Sequence, residues 1–182
     1  MKGLVFVEFV EFVEDRFSLE MVDRIIEKSS LATGGAYTSV GVYDYREMIQ
    51  LVSQLSSETG VEPRELLRVF GQHTFGRFVD KFPDLFEGVD SAIAFLGRIE
   101  GHIHVEVKKL YPEAELPTFH YEPSAPGSLV MVYESPRCLA DFAMGLIKGA
   151  VEHFGTPMEI DMAPLTDDHS RVRFTVGPRA DS

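Results

Sequence analysis

The feature that most constrains this chain is a stop. Tyr111-Pro112 closes a helical pattern, and the sequence carries a different period on each side of it. Proline cannot continue a helix, and it drives the residue before it towards extended backbone. The stretch it closes, GRIEGHIHVEVKKLYP over residues 97–112, reads as a helix end carrying two histidines. Asp90 stands where that helix would be capped.

Before the stop the spacing is helical. In residues 4–17 the Val and Phe favour strands by propensity. However, Phe6, Phe9, Val10, Val13 and Phe17 recur at helical intervals, with Glu8, Glu11 and Asp15 on another face. The period predicts a well-buried helix. Ser18 is placed to cap a second helix bearing Met21, Val22, Ile25 and Ile26. Thr33-Gly34-Gly35 marks a loop. A third helix is predicted over 45–59, stopped by Gly60. Pro63 suits the first turn of a fourth, which ends near Lys81, ahead of Pro83.

After the stop, short β-branched and aromatic runs alternate with turn residues. Strands are predicted over 118–121, 128–135, 158–162 and 171–176, with turns at 123–127 and at Asp167-Asp168. One long helix over 138–154, ended by Gly155, separates the two pairs. Helices first, then a four-stranded antiparallel sheet with a helix inserted, is an α+β layout.

Charge and cysteine usage narrow the function. A net charge of −12 disfavours the phosphate backbone of nucleic acid and an anionic membrane surface. No run reaches the ~18 apolar residues of a membrane span, and the N-terminus lacks the pattern of a signal peptide. The expectation is a soluble, cytoplasmic protein. The single cysteine, Cys138, allows no intrachain disulfide and argues against a thiolate metal cluster. Fourteen Phe and no Trp suit an ordinary core, and equally a flat apolar ligand.

Six histidines are present, and no pair has the spacing and neighbours of a zinc site. At ~100° per residue, Leu96, Ile99, Ile103, Val107 and Leu110 form one apolar stripe, with His102 and His104 flanking it on opposite sides. The His102 flank is mostly charged and should face water. The His104 flank carries Gly97 and Gly101, each roughly 1 kcal/mol less favourable than alanine inside a helix. Something flat approaching the backbone would explain them, and a tightly packed helix would explain them equally well. Further on, Tyr133, Ser135 and Arg137 alternate. On one extended strand they would share a face and span ~13 Å. Arg offers a planar fork for carboxylates, and the hydroxyls add donors. An exposed sheet face with alternating polar residues is the simpler reading of that string alone. Histidine, donor triplet and excess Phe together suit a buried haem, with histidine on the iron and the triplet on the propionates.

Over nearly its whole length the sequence resembles the haem nitric oxide/oxygen-binding (H-NOX) domains, bacterial gas sensors related to the haem domain of the soluble guanylate cyclase β subunit. The resemblance runs from Met1-Lys2-Gly3 through Phe86–Asp90 and HVEVKKLYP to the Tyr133-x-Ser135-x-Arg137 triplet and the terminal hairpin. It implies a single domain over 1–182, with a helical subdomain over 1–60, a haem-ligating α+β subdomain over 61–182 and haem b buried between them. It also implies His104 as the iron ligand, the triplet on the propionates, and Pro117 pressing on the haem. Val5, Phe9, Thr74, Phe78, Phe142 and Leu146 would line the distal pocket.

Two departures from the family pattern carry consequences. Oxygen-holding members have tyrosine where this chain has Phe142, and phenylalanine donates no hydrogen bond. The expectation is a nitric oxide sensor, also open to carbon monoxide, with weak or no oxygen binding. Residues 157–182 lack the cysteines of the zinc site some members carry, so no zinc is expected. Binding would weaken or break the iron–His104 bond and so regulate a separate histidine kinase or cyclic-di-GMP enzyme. A haem peroxidase or oxygenase is the competing enzyme reading; it would need distal acid–base groups that a Phe-rich wall does not supply. A non-haem adaptor is the third, and a colourless purified protein would mark it.

Overall fold

A computed structural model describes residues 1–179. Two compact units divide the chain, Met1–Phe70 and the residues from Gly71 on. The division lies inside a helix, ten residues beyond the expected break at 60/61.

In the first unit, α1 (Gly3–Arg16), α2 (Leu19–Glu27), α3 (Tyr45–Thr59) and the start of α4 (Pro63–Lys81) follow the periodic pattern. Helix α1 forms against propensity because its buried residues, Phe6, Phe9, Phe12 and Val13, sit at helical intervals. Glu8 corrects the expected polar face: it is fully buried with them. Phe17, expected on the apolar face, is exposed. The Ser18 hydroxyl caps α2, accepting from Met21 N at 3.2 Å. Gly60 ends α3 in the left-handed region at φ 73°. At Gly3 a side chain has no room, since a Cβ would lie 1.9 Å from the Thr38 carbonyl oxygen.

In the second unit the antiparallel sheet runs in the order β1 (Thr118–Glu122), β2 (Leu129–Glu134), β4 (Arg171–Pro178), β3 (Met158–Pro164). Alternate residues Val172, Phe174 and Val176 of β4 turn inward, where α7 (Ala140–Phe154) covers them with Ala143, Ile147 and Ala150. Helix α7 also packs on α5 (Ala92–Leu96).

The run towards Tyr111 departs from expectation. It is not one helix. Helix α5 ends at Gly97, a π-helical turn spans Ile99–Ile103, and α6 covers His104–Leu110. Ser91, not Asp90, caps α5, its hydroxyl accepting from Ala94 N. The π turn shows in its bonds: Ile103 N donates to Arg98 O five residues back, and His104 N to Ile99 O. Gly97 and Gly101 weaken the α-helical preference where the break falls. Among the described residues, no helix is long and apolar enough to cross a membrane.

Candidate functional site

His104 is the first residue of α6, directly after the π turn. Its ring is 13% exposed. Nδ1 lies 3.2 Å from Glu100 Oε2, and that same oxygen accepts from the backbone N–H of Phe119 at 3.0 Å. Burial pulls the His104 pKa down, and this outweighs the nearby Glu100 charge, which pulls it up. The imidazole is therefore neutral at pH 7. With the Nδ1 proton given to Glu100, the lone pair sits on Nε2. His102, inside the π turn, is exposed.

The Tyr133-Ser135-Arg137 triplet does not lie on one strand. Strand β2 ends at Glu134, and Pro136 and Arg137 form a turn. The extended span of ~13 Å does not apply, because the backbone folds back: Cys138 N donates to Ser135 O. Tyr133 and Ser135 are buried. The Tyr133 hydroxyl accepts from Leu139 N at 3.2 Å, and burial pushes its phenol up, so it stays protonated. Arg137 reaches Glu115, donating to its carbonyl at 2.6 Å and to its carboxylate at 2.5 Å.

Phe119 joins the two constellations. Its ring centroid lies 5.9 Å from that of His104 and 5.8 Å from that of Tyr133, its partner in the β1–β2 register. Pro117, half-buried, precedes β1 by one residue. Thr74 is fully buried on α4, and Phe78 beside it is half-buried. Phe142 and Leu146 lie half-buried on α7. Val5 and Phe9 belong to α1 of the first unit, Phe9 fully buried against Phe70 at 5.1 Å. Helices α4 and α7 meet through glycine: a Cβ at Gly71 would lie 2.3 Å from Phe142 O, and one at Gly149 would lie 2.6 Å from Phe75 Cβ. An open cleft of about 590 Å³ is lined by residues of both helices, among them His73, Arg77, Asp80 and Glu152.

Sequence reasoning missed Glu100, Glu115 and Phe119. Only Glu100 left a signal, a carboxylate four residues before a histidine, the spacing at which helical side chains meet. Glu115 and Phe119 reach the site through loop and sheet geometry.

A four-stranded sheet covered by one long helix, a half-buried histidine at a helix start and an arginine fork just after β2 point to the class of haem-binding sensor domains. The chain belongs to the Haem-NO-binding (H-NOX) family, whose model matches residues 2–162. Members of this family bind haem. The chain is 42% identical to the H-NOX protein from K. algicida, with a TM-score of 0.94 over 100% of this chain and 98% of that one. It is 36% identical to the H-NOX from Shewanella woodyi, solved bound to IWP-051 in the Fe(II)CO ligation state, with a TM-score of 0.84 over 100% and 98%. The H-NOX protein from S. oneidensis in the Fe(II)NO state shares the fold at 24% identity, with a TM-score of 0.87 over 99% and 100%. None of the curated proteins matches the chain.

The residues present fit a haem. His104 offers a neutral nitrogen with its other proton already engaged, the state of a metal-ligating imidazole. A carboxylate, that of Glu115, already sits in the Arg137 fork, which is the chemistry a propionate presents. At Gly101 a Cβ would meet no protein atom within 4 Å, so helix packing does not account for that glycine.

Proposed function

We propose that the protein is a nitric oxide sensor in which His104 Nε2 would hold the iron of a ferrous haem b. Tyr133, Ser135 and Arg137 hold the haem carboxylates, and Pro117 bears on the haem face. The observation that carries this reading is the state of His104: half-buried, neutral, with Nδ1 held by Glu100 and Nε2 left as the lone-pair nitrogen. A haem held there would supply an iron able to take nitric oxide or carbon monoxide, and a strongly bound gas would weaken the hold of His104 on it.

The chain supplies the rest. If freed, the His104 ring would be able to move with α6, in which no residue is fully buried. The iron–histidine bond is the differential contact that lets a gas shift the equilibrium. Selectivity comes from the gas-facing side chains, proposed by family resemblance as Val5, Phe9, Thr74, Phe78, Phe142 and Leu146. Bound oxygen needs a hydrogen-bond donor that nitric oxide does not, and Phe142 offers none. The role is regulatory rather than catalytic, with no zinc. The altered surface around α6 is read by a cytoplasmic partner, a histidine kinase or a cyclic-di-GMP enzyme.

The test is an absorption spectrum of the reduced protein under anaerobic conditions, in air and with nitric oxide. A five-coordinate ferrous haem, unchanged by air and shifted by nitric oxide, is expected; a stable oxygen complex overturns the Phe142 argument. His104→Ala should lose haem or require added imidazole, and full haem binding with an unchanged ferrous spectrum removes His104 from the role.

A further inference from the structure

The acceptor on His104 Nδ1 belongs to no role so far assigned. Glu100 sits in the π turn, and one carboxylate oxygen takes two donors, His104 Nδ1 at 3.2 Å and Phe119 N at 3.0 Å. The second donor is informative. Strand β1 is an edge of the sheet, so on its open side a backbone N–H finds no neighbouring strand. Glu100 fills that place for Phe119. A second bond fixes the same edge to the same run: the Tyr121 hydroxyl donates to Leu96 O at 2.8 Å. The histidine ring is thus oriented by a carboxylate that is itself oriented by the sheet.

We propose that Glu100 is the positioning residue of the axial ligand, holding His104 in the Nδ1–H tautomer, aiming Nε2 and strengthening it as a donor, while tying that strength to the place of β1. The inference rests on His104 being the iron ligand. A carboxylate behind a ligating imidazole makes the nitrogen on the far side more basic, and losing such a partner costs about 10–100-fold in metal affinity. Because Oε2 is shared, a shift of the π turn away from β1 breaks the bond to Phe119 and leaves the carboxylate that holds Nδ1 without its anchor on the sheet. Glu100 therefore sets how readily the ligand lets go, and it couples that release to the sheet edge beside Tyr133. A carboxylate that merely satisfied the edge N–H of Phe119 would leave the ligand bond untouched.

The experiment compares haem-loaded wild type with E100A, E100Q and, with no imidazole added, H104G. Resonance Raman spectroscopy reads the iron–histidine stretch of the ferrous protein, and transfer to an excess of a haem-scavenging protein reads haem loss. E100A should lower the stretching frequency and speed haem loss by about tenfold or more. E100Q keeps an oxygen for Phe119 N–H but loses the charge, and should fall between E100A and wild type; it also serves if E100A does not fold. A band that vanishes in H104G, yet stands at the wild-type frequency in both Glu100 variants, overturns this role alone. A band that survives in H104G overturns the role and the His104 assignment together.

Discussion

Helix α7 buries eight of its 15 residues, whereas α6, in the same unit, buries none of its seven. Both carry apolar side chains. Those of α7 meet the sheet, α5 and α4, the last through glycine contacts closer than any side chain allows. Two of the three on α6 end in water: Val105 is 45% exposed and Leu110 61%, while Val107 is half-buried. The difference separates a frame from the part that the proposed switch would move. Regions with few buried apolar contacts open at low free energy, and those are the regions a switch draws on.

The comparison can be broken first by hydrogen exchange. Amides of α7 should open only near the free energy of global unfolding, and those of α6 several kcal/mol below it. Equal protection would end the distinction. Next comes truncation. Ile147→Ala, at a side chain only 2% exposed, should destabilise by about 2–5 kcal/mol in urea unfolding, whereas Leu110→Ala should stay within about 0.5 kcal/mol.

The glycines sharpen the contrast with opposite signs. Gly149→Ala drives a Cβ into Phe75 and should cost about 1–3 kcal/mol. Gly101→Ala meets nothing within 4 Å and should stabilise the haem-free protein by about 0.5–1 kcal/mol. Under the haem reading that same methyl should lower haem occupancy, measured by the Soret absorbance per chain.

The smallest effect concerns acid. Helix α7 rests on the β3–β4 hairpin, whose turn holds Asp168. The Ser170 hydroxyl, and then its backbone N–H at 2.9 Å, keep the Asp168 carboxyl down at about 2. A depressed carboxylate contributes above its ordinary range and loses that contribution as pH falls through the folded value. The carboxyl carbon of Asp168 should titrate by NMR with a midpoint near 2, and the protection of α7 amides should weaken slightly as pH falls from the ordinary carboxylate range towards that value.

Where residues punctuate the backbone directly, the structure was legible in the sequence. Gly60 and Pro63 bound α3 and α4 to the residue, and period outweighed propensity in α1. Legibility failed where three-dimensional surroundings decide. Glu8 looked solvated because charge marks a polar face, but α1 is enclosed on more than one side. The Tyr133-Ser135-Arg137 alternation looked like one strand, though Pro136 turns the chain between the last two. The run to Tyr111 kept its apolar stripe on a helical wheel, and a wheel does not register a break in hydrogen bonding. Glu100 stood four residues before His104 in plain view, but its partner on β1 comes from the sheet.

A π turn contains one residue more than the α turn it replaces. The consequence is one of phase. Deleting Gly101 would let the backbone from Ile99 onward close as ordinary α-helix, and every later side chain would swing about 100° around the axis relative to those before it. Glu100 and His104 would stand three positions apart instead of four, and the imidazole would turn away from Phe119. The direction in which the imidazole faces is therefore set by a surplus residue, an insertion whose identity matters less than its presence.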